Sequence, residues 1–539
     1  MRKALSNPYA NVFKLREPTK ILLETKPPKV KAMMKNLRTE KSFPLASQSF
    51  HQFKALLVSL PMVLWITACG GSGGGDDIVV DHASYATSAG GAFSDAATEV
   101  TTDSERNIIT IGDFQETVDF NARGEDTTSS SNGSSDMFII KQSPAGEFMW
   151  YAAIGGTEND ITRGVTTDGN DNILVAGNFR ETVDFDPGEG VHELTSPAPG
   201  SAFVLKLGPD GSLIWALNFE STSSNYAYDI AVDRNDNVYV TGYFNGTIDF
   251  DPGVGSYELT STNGVDAFVA KLTPTGELIW AEQLATPGGQ SYAYAVDVDA
   301  DGNVFTGGFF SQTIDLDPGK GTDEHTSAGQ FDAFVACLNP NGEFRWAASA
   351  GGTGNDTGRE LVVDGDGYVT LMGQFDEDID FSTARGTTVL EPIGFQGCFI
   401  AQYDPNGNLE WLSAVDSVEF TEATSITVDS DNNVYAVGAH FGSAVAGLGM
   451  DSIPLSLSGG ADAFITCFSP DGVLQWAERF GDTGFEIVSA MAIDADRSVI
   501  LAGHFDGTLN LPAPLKGSLN TVGYQDMFTL KMTEEDFFD

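Results

Sequence analysis

Short apolar runs, rich in β-branched and aromatic residues and alternating with polar ones, return along most of this chain with a period of about 65 residues. One run is led by phenylalanine: Phe138, Phe203, Phe268, Phe334, Phe399, Phe464 and Phe528. A Pro/Gly turn such as Thr273-Pro274-Thr275-Gly276 follows it, because Pro presets φ and Gly accepts φ > 0. The next run carries tryptophan: Trp150, Trp215, Trp280, Trp346, Trp411 and Trp476. After a polar loop, a third run ends in aspartate at Asp103, Asp168, Asp233, Asp299, Asp364, Asp429 and Asp494. A tight turn leads into a fourth, which closes on Phe114, Phe179, Phe244, Phe310, Phe375, Phe441 or Phe505. Four short strands per period predict the blade of a β-propeller.

The counts predict how the ring closes. Seven Asp and seven Phe positions accompany only six Trp positions, since no Trp strand follows Phe528. Near the other end, Ile78 to Ala86 precedes the first Asp with no Phe strand before it, and Tyr85 takes the Trp place. The expected fold is therefore all-β, a seven-bladed propeller of four antiparallel strands per blade, closed by pairing its two ends. Within a blade the Asp strand is expected innermost and the Trp strand outermost. Blades should span roughly 92–155, 156–220, 221–285, 286–351, 352–416 and 417–481, the seventh joining 482–535 to 77–91. The Trp and Phe columns read as packing between blades, not as a ligand box.

The units Ala267-Phe268-Val269-Ala270-Lys271-Leu272, Gly276-Glu277-Leu278-Ile279-Trp280 and Val298-Asp299-Ala300-Asp301-Gly302-Asn303-Val304 resemble the seven-bladed propeller repeats named SBBP, common in bacterial surface and secreted proteins. The resemblance spans essentially 77–535 and implies fold; the family carries no shared catalytic residues to transfer. Blade six departs from the pattern, with Ala444-Val445-Ala446-Gly447-Leu448 where other blades carry Asp-Phe-Asp.

Ahead of the repeats, Ala55 to Ala68 is apolar, Lys54 precedes it, and Cys69 is followed by the Gly-rich stretch 70–76. Basic flank, short apolar core and small residues describe a signal peptide. Its Cys resembles the lipobox of bacterial lipoproteins, which implies lipidation of Cys69. The expected organisation is a leader over 1–69, a tether over 70–76 and the propeller over 77–539. Gly70 after the Cys favours, by that resemblance, the outer membrane. No later segment approaches the roughly 18 apolar residues of a membrane helix.

The first 69 residues hold 12 of the 28 basic and 3 of the 76 acidic residues, leaving 16 basic and 73 acidic, a formal net of −57. Such a surface excludes nucleic acid as a partner and attracts cations. Cys337, Cys398 and Cys467 fall in three blades and read as buried thiols, not a disulfide framework.

Candidate chemistry is sparse. The loops between second and third strands are long and repeat Asp184-Phe185-Asp186-Pro187, Asp249-Phe250-Asp251-Pro252 and Asp315-Leu316-Asp317-Pro318. Paired carboxylates suit Ca²⁺, but Asp-Pro-Gly is also a turn in which Asp caps backbone N–H groups, and repetition alone explains it. Asp297, Asp299 and Asp301 match the opening of a calcium loop without its bidentate Glu, and an Asx-stabilised hairpin is the default. His440 and His504 read as sharing one repeat position beside the strand-closing Phe, with Asp113, Asn178, Tyr243, Phe309 and Gln374 in other blades. That column could tune a central pocket. No catalytic residue or cofactor is expected, calcium apart. The sequence points to a monomeric, lipid-anchored binding or scaffold module for an envelope protein or extracellular polysaccharide. A calcium-dependent carbohydrate-binding or adhesion module is the alternative, and a polysaccharide-processing enzyme a third.

Overall fold

A computed structural model describes residues 84–121, 127–197, 199–381, 388–481, 484–511, 515 and 517–533. They form seven four-stranded antiparallel blades, with a single short 3₁₀ turn and no α-helix among the described residues. Blade one consists of Ala96–Thr102, Ile108–Phe114, Asp136–Gln142 and Phe148–Ile154, hydrogen-bonded in that order. The innermost strands of the others are Ile161–Thr167, Asn225–Val232, Ser291–Val298, Asp356–Val363, Thr421–Val428 and Glu486–Ile493. Each contacts the innermost strand of the next blade, and the last returns to the first, so they line a central channel.

Closure follows the expected scheme. Blade seven consists of Glu486–Ile493, Val499–Phe505 and Asp526–Met532, completed by Tyr85–Gly91 as its outermost strand. Among the described residues this strand runs from Tyr85; residues 78–83, the tether and Cys69 lie outside them.

The Phe columns are core. Phe138, Phe203, Phe268, Phe334, Phe399, Phe464 and Phe528 are all buried. Each faces a glycine on the neighbouring strand, as Gly112 faces Phe138 and Gly242 faces Phe268. A Cβ on Gly112 would lie 2.5 Å from the Phe138 ring and 2.0 Å from the Ala96 carbonyl oxygen. The Gly-x-Phe pattern therefore records room left for the opposing ring. Blade six breaks it: His440, not Phe441, stands opposite Asp462, the place that Phe505 takes opposite Asp526. His440 and His504 therefore do not share a repeat position. His440 is a buried residue of the core column, its Nδ1 2.7 Å from the Gly442 carbonyl oxygen, and burial lowers its pKa.

Adjacent blades are joined by a latch that repeats around the ring. The Trp150 indole N–H donates to the Pro209 carbonyl of the next blade at 3.1 Å, and Trp215, Trp280, Trp346 and Trp411 donate likewise to Pro274, Pro340, Pro405 and Pro470. Those same carbonyls of Pro209, Pro274 and Pro340 accept from Lys141, Lys206 and Lys271. Each ammonium also meets the Asp that ends its blade's innermost strand: Lys141–Asp103 at 2.8 Å, Lys206–Asp168 at 2.7 Å and Lys271–Asp233 at 3.5 Å, with Lys531–Asp494 at 2.9 Å in the closing blade. Cys337, Gln402 and Cys467 occupy the lysine position in blades four, five and six, each opposite that blade's Trp. These two cysteines and Cys398 are buried thiols.

Candidate binding site at the mouth of the central channel

The long loops are not free. Each folds into a small hairpin, such as Thr182–Asp184 paired with Glu193–Thr195. Several reach back onto the preceding blade: Asp249 pairs with Glu220, Asp119 with Gly90, and Ala446 with Val415. Blade six keeps this strap although it lacks the Asp-Phe-Asp sequence. The central aromatic or aliphatic residue is a plug, with Phe185, Phe250 and Leu316 fully buried and the Phe250 ring 4.9 Å from that of Phe268.

The flanking carboxylates cap the loop backbone. Asp184 accepts from the amides of Asp186 and His192, Asp249 from those of Asp251 and Tyr257, and Asp315 from those of Asp317 and Asp323. Asp186, Asp251 and Asp317 accept from Gly188, Gly253 and Gly319, each at 2.8 Å. Geometry identical in three blades is that of an Asx turn. Asp297, Asp299 and Asp301 have different settings. Asp297 lines the channel and accepts from Val298 and from Val363 of the next blade. Asp299 caps its hairpin through the amides of Asp301 and Asn303, and Asp301 is exposed. Among the described residues no three His, Cys, Asp or Glu side chains are grouped to hold a metal ion.

A constellation that sequence reasoning missed sits at the mouth of the channel, on the loop-bearing face. Each innermost strand carries a β-bulge at the same place, leaving Thr98, Arg163, Tyr228, Tyr294, Arg359, Thr424 and Ser489 outside the register. Bulges re-aim a side chain and recur beside functional sites. Four successive blades use this position to build one arc. The Arg163 guanidinium lies 5.8 Å from the Tyr228 ring centre, Tyr228 packs edge-on against Tyr294 at 4.4 Å, and the Arg359 guanidinium lies 5.3 Å from Tyr294. Such contacts suit a cation over an aromatic face.

The variable column of the neighbouring strand supports the arc. Tyr243 stacks on Tyr226 at 5.1 Å and Phe309 on Tyr292 at 4.9 Å, while Gln374 accepts from the Arg359 Nε–H at 3.1 Å. Acids stand at both ends. Burial raises the carboxyls of Asp113 and Glu422, offset in part by Arg163 and Arg359 respectively. His504, in the same column, is enclosed and held neutral, its pKa lowered by burial to about 4. The signal was present in the sequence as large polar and aromatic residues at a place where the same strands otherwise carry small ones, but a bulge cannot be read from alternation.

Beneath the arc the channel opens into a cavity of about 310 Å³. Glu99, Asp229, Asp297 and Glu360 line it, each accepting from at least one backbone amide. Burial pushes all four carboxyls up, Glu99 to about 8 and Asp297 to about 6, and like charge adds to the rise.

A family model described as the SBBP beta-propeller repeat matches residues 215–248. An uncharacterized WD repeat-containing protein of Acanthamoeba polyphaga mimivirus is 24% identical over 486 residues, covering 76% of this chain and 35% of that protein. The regulatory protein FlaEY of Caulobacter vibrioides is 23% identical over 320 residues, covering 56% of this chain and 31% of that protein. This chain thus spans about a third of the length of the curated relatives it matches. Among solved structures, the Pan2 WD40 domain of Neurospora crassa superposes with a TM-score of 0.36 at 10% identity, covering 81% of this chain and 88% of that one. The protein is a seven-bladed β-propeller in which residues 215–248 match the SBBP beta-propeller repeat, a fold consistent with a binding or scaffold role.

Proposed function

We propose that the protein is a non-enzymatic binding module, tethered through a lipid on Cys69 to the outer membrane of a Gram-negative-type envelope, that holds a segment of another envelope protein over its channel mouth. The Arg163–Tyr228–Tyr294–Arg359 arc carries this reading. Tyr and Arg are the residues that dominate protein interfaces when they cluster at a centre. Around it the same face exposes Phe93, Phe395, Phe420, Phe485 and Tyr524, and loops on one face of a rigid scaffold are where partners bind. On a mature surface of net −57, two arginines at the mouth form a local positive feature for acidic groups of the partner.

The test is proximity cross-linking in the native envelope from a photoreactive residue at Phe420, followed by affinity measurement with the identified partner. Tyr294→Ala with Arg359→Ala should weaken binding by about a thousandfold, on the scale of two hot-spot losses, while Asp251→Ala leaves it unchanged. Equal affinity in both variants would remove the mouth from the interface. Cys69→Ser should release the protein from membranes; retention would end the anchor reading.

A further inference from the structure

We infer that the space between blades five and six, on the face opposite the mouth, is a binding site for a primary ammonium group, held by Asp364 and the carbonyl of Pro470. Four blades show what this position accommodates. There a lysine ammonium bridges the strand-ending Asp and a hairpin-proline carbonyl of the next blade, as Lys206 does between Asp168 at 2.7 Å and Pro274 at 3.1 Å. In blade five the lysine is Gln402, whose amide donates to Thr370 Oγ1 at 3.2 Å and whose oxygen accepts from Trp411 at 2.8 Å. Neither contact reaches Asp364.

Asp364 is deprived a second time. In blades one to four and six its counterpart is followed four residues on by an Asn that donates to the outer carboxylate oxygen, as Asn172 does to Asp168 and Asn433 to Asp429, each at 2.8 Å. Blade five has Tyr368 there. Asp364 Oδ1 accepts from the amides of Asp366 and Tyr368, and its Oδ2 has no hydrogen-bond partner among the described residues. The residue is nonetheless largely enclosed, at 7% exposure. An unbonded carboxylate oxygen that opens on a pocket is free to take a donor.

The vacated space is a pocket of about 330 Å³, bordered by Asp364, Asp366, Glu410, Asp471 and the Trp411 ring, with Pro470 on its rim. Lys206 lies 6.0 Å from the centre of the equivalent Trp215, so Trp411 offers an incoming cation the same aromatic face. Charge agrees with this. Burial raises the Asp364 carboxyl, whereas at Asp168 burial is outweighed by Lys206, Asn172 and two amides, leaving it lowered. An ammonium, with three donors and no need for converging carboxylates, fits better than a divalent ion.

The experiment is isothermal titration of the purified protein with n-butylammonium, then with Nα-acetyl-lysine methylamide, and with calcium as control. One amine per chain should bind, and Asp364→Asn should weaken it about tenfold or more, the scale of one charge-assisted hydrogen bond. Gln402→Lys should fill the pocket from within, abolish amine binding and raise the melting temperature, so a misfolded Asp364→Asn protein would not leave the question open. Tighter binding of the lysine derivative would assign the ammonium to a protein lysine, and equal binding to a free amine. The inference is overturned if no amine binds, if calcium binds equally and competes, or if Gln402→Lys binds amine like the parent.

Discussion

Tyr85 stands directly opposite Lys531, in the register that places Trp150 opposite Lys141. The N-terminal strand therefore reproduces the outermost strand of an intact blade. Even the stacking is kept: the hairpin glycine of the next blade lies on the aromatic ring, Gly146 (φ 76°) on Tyr85 as Gly211 (φ 84°) on Trp150. What is lost is the indole N–H, and the buried Tyr85 hydroxyl has no partner among the described residues. Tyr85→Trp should restore the donor toward Pro144 and stabilise the ring by about 0.5–1.5 kcal/mol, read as a shift in the denaturation midpoint.

Removing Tyr85–Gly91 should do the opposite. Five residues from Tyr85 to Ala89 pair with Lys531 to Met527, and losing them costs about 3–5 kcal/mol at the usual net value of a hydrogen bond. It also opens an unprotected strand edge, which favours association. Size-exclusion chromatography and thermal melts of the shortened chain check both effects; an unchanged melt would mean that closure contributes little.

The straps between blades predict a stability effect independent of metal. Phe250→Ala empties a fully buried plug and should cost about 3–5 kcal/mol. Asp249→Ala removes the acceptor of two loop amides at 3.0 and 2.7 Å and should cost about 1–3 kcal/mol. Both losses should be the same in EDTA and in calcium. A calcium-dependent rise in melting temperature that disappears in Asp249→Ala would instead assign these carboxylates to a metal.

The fold was legible because each blade must solve the same packing problem. The Phe that needs an opposing glycine, and the Trp that reaches a proline carbonyl, recur by count and can be aligned without a structure. His440 escaped because the phenylalanine following it invited alignment one residue too far. Lys141, Lys206, Lys271 and Lys531 were visible in the repeat but not as a column of cations, since only the fold brings each beside its Asp across the blade. The mouth was least legible. Its arc depends on the bulges of four blades, which shift the inward-facing residue by one, so alternation assigns Arg163 and Tyr294 no common direction.

The channel acids give the protein a pH dependence whose sign follows from their setting. Glu99, Asp229, Asp297 and Glu360 share one lining, and the two arginines of the inner ring stand at the mouth above them. Each carboxyl is raised in the folded state, chiefly by burial, with Glu99 at about 8 and Asp297 at about 6. The folded protein therefore holds these protons more tightly than the unfolded chain. Their contribution is complete below the ordinary carboxylate range near pH 4 and is lost as pH rises through 6 to 8. Asp168 and Asp233 act in the opposite sense, being lowered in the folded state, so their contribution fades in acid. Stability should thus peak between about pH 4 and 6 and decline toward pH 8. Glu360→Gln keeps the shape of the side chain and removes its charge; it should flatten that decline and gain about 1–3 kcal/mol at pH 8, with little change at pH 5. Urea titrations of both proteins at the two pH values decide it, and parallel pH profiles would show that these carboxyls titrate as if exposed.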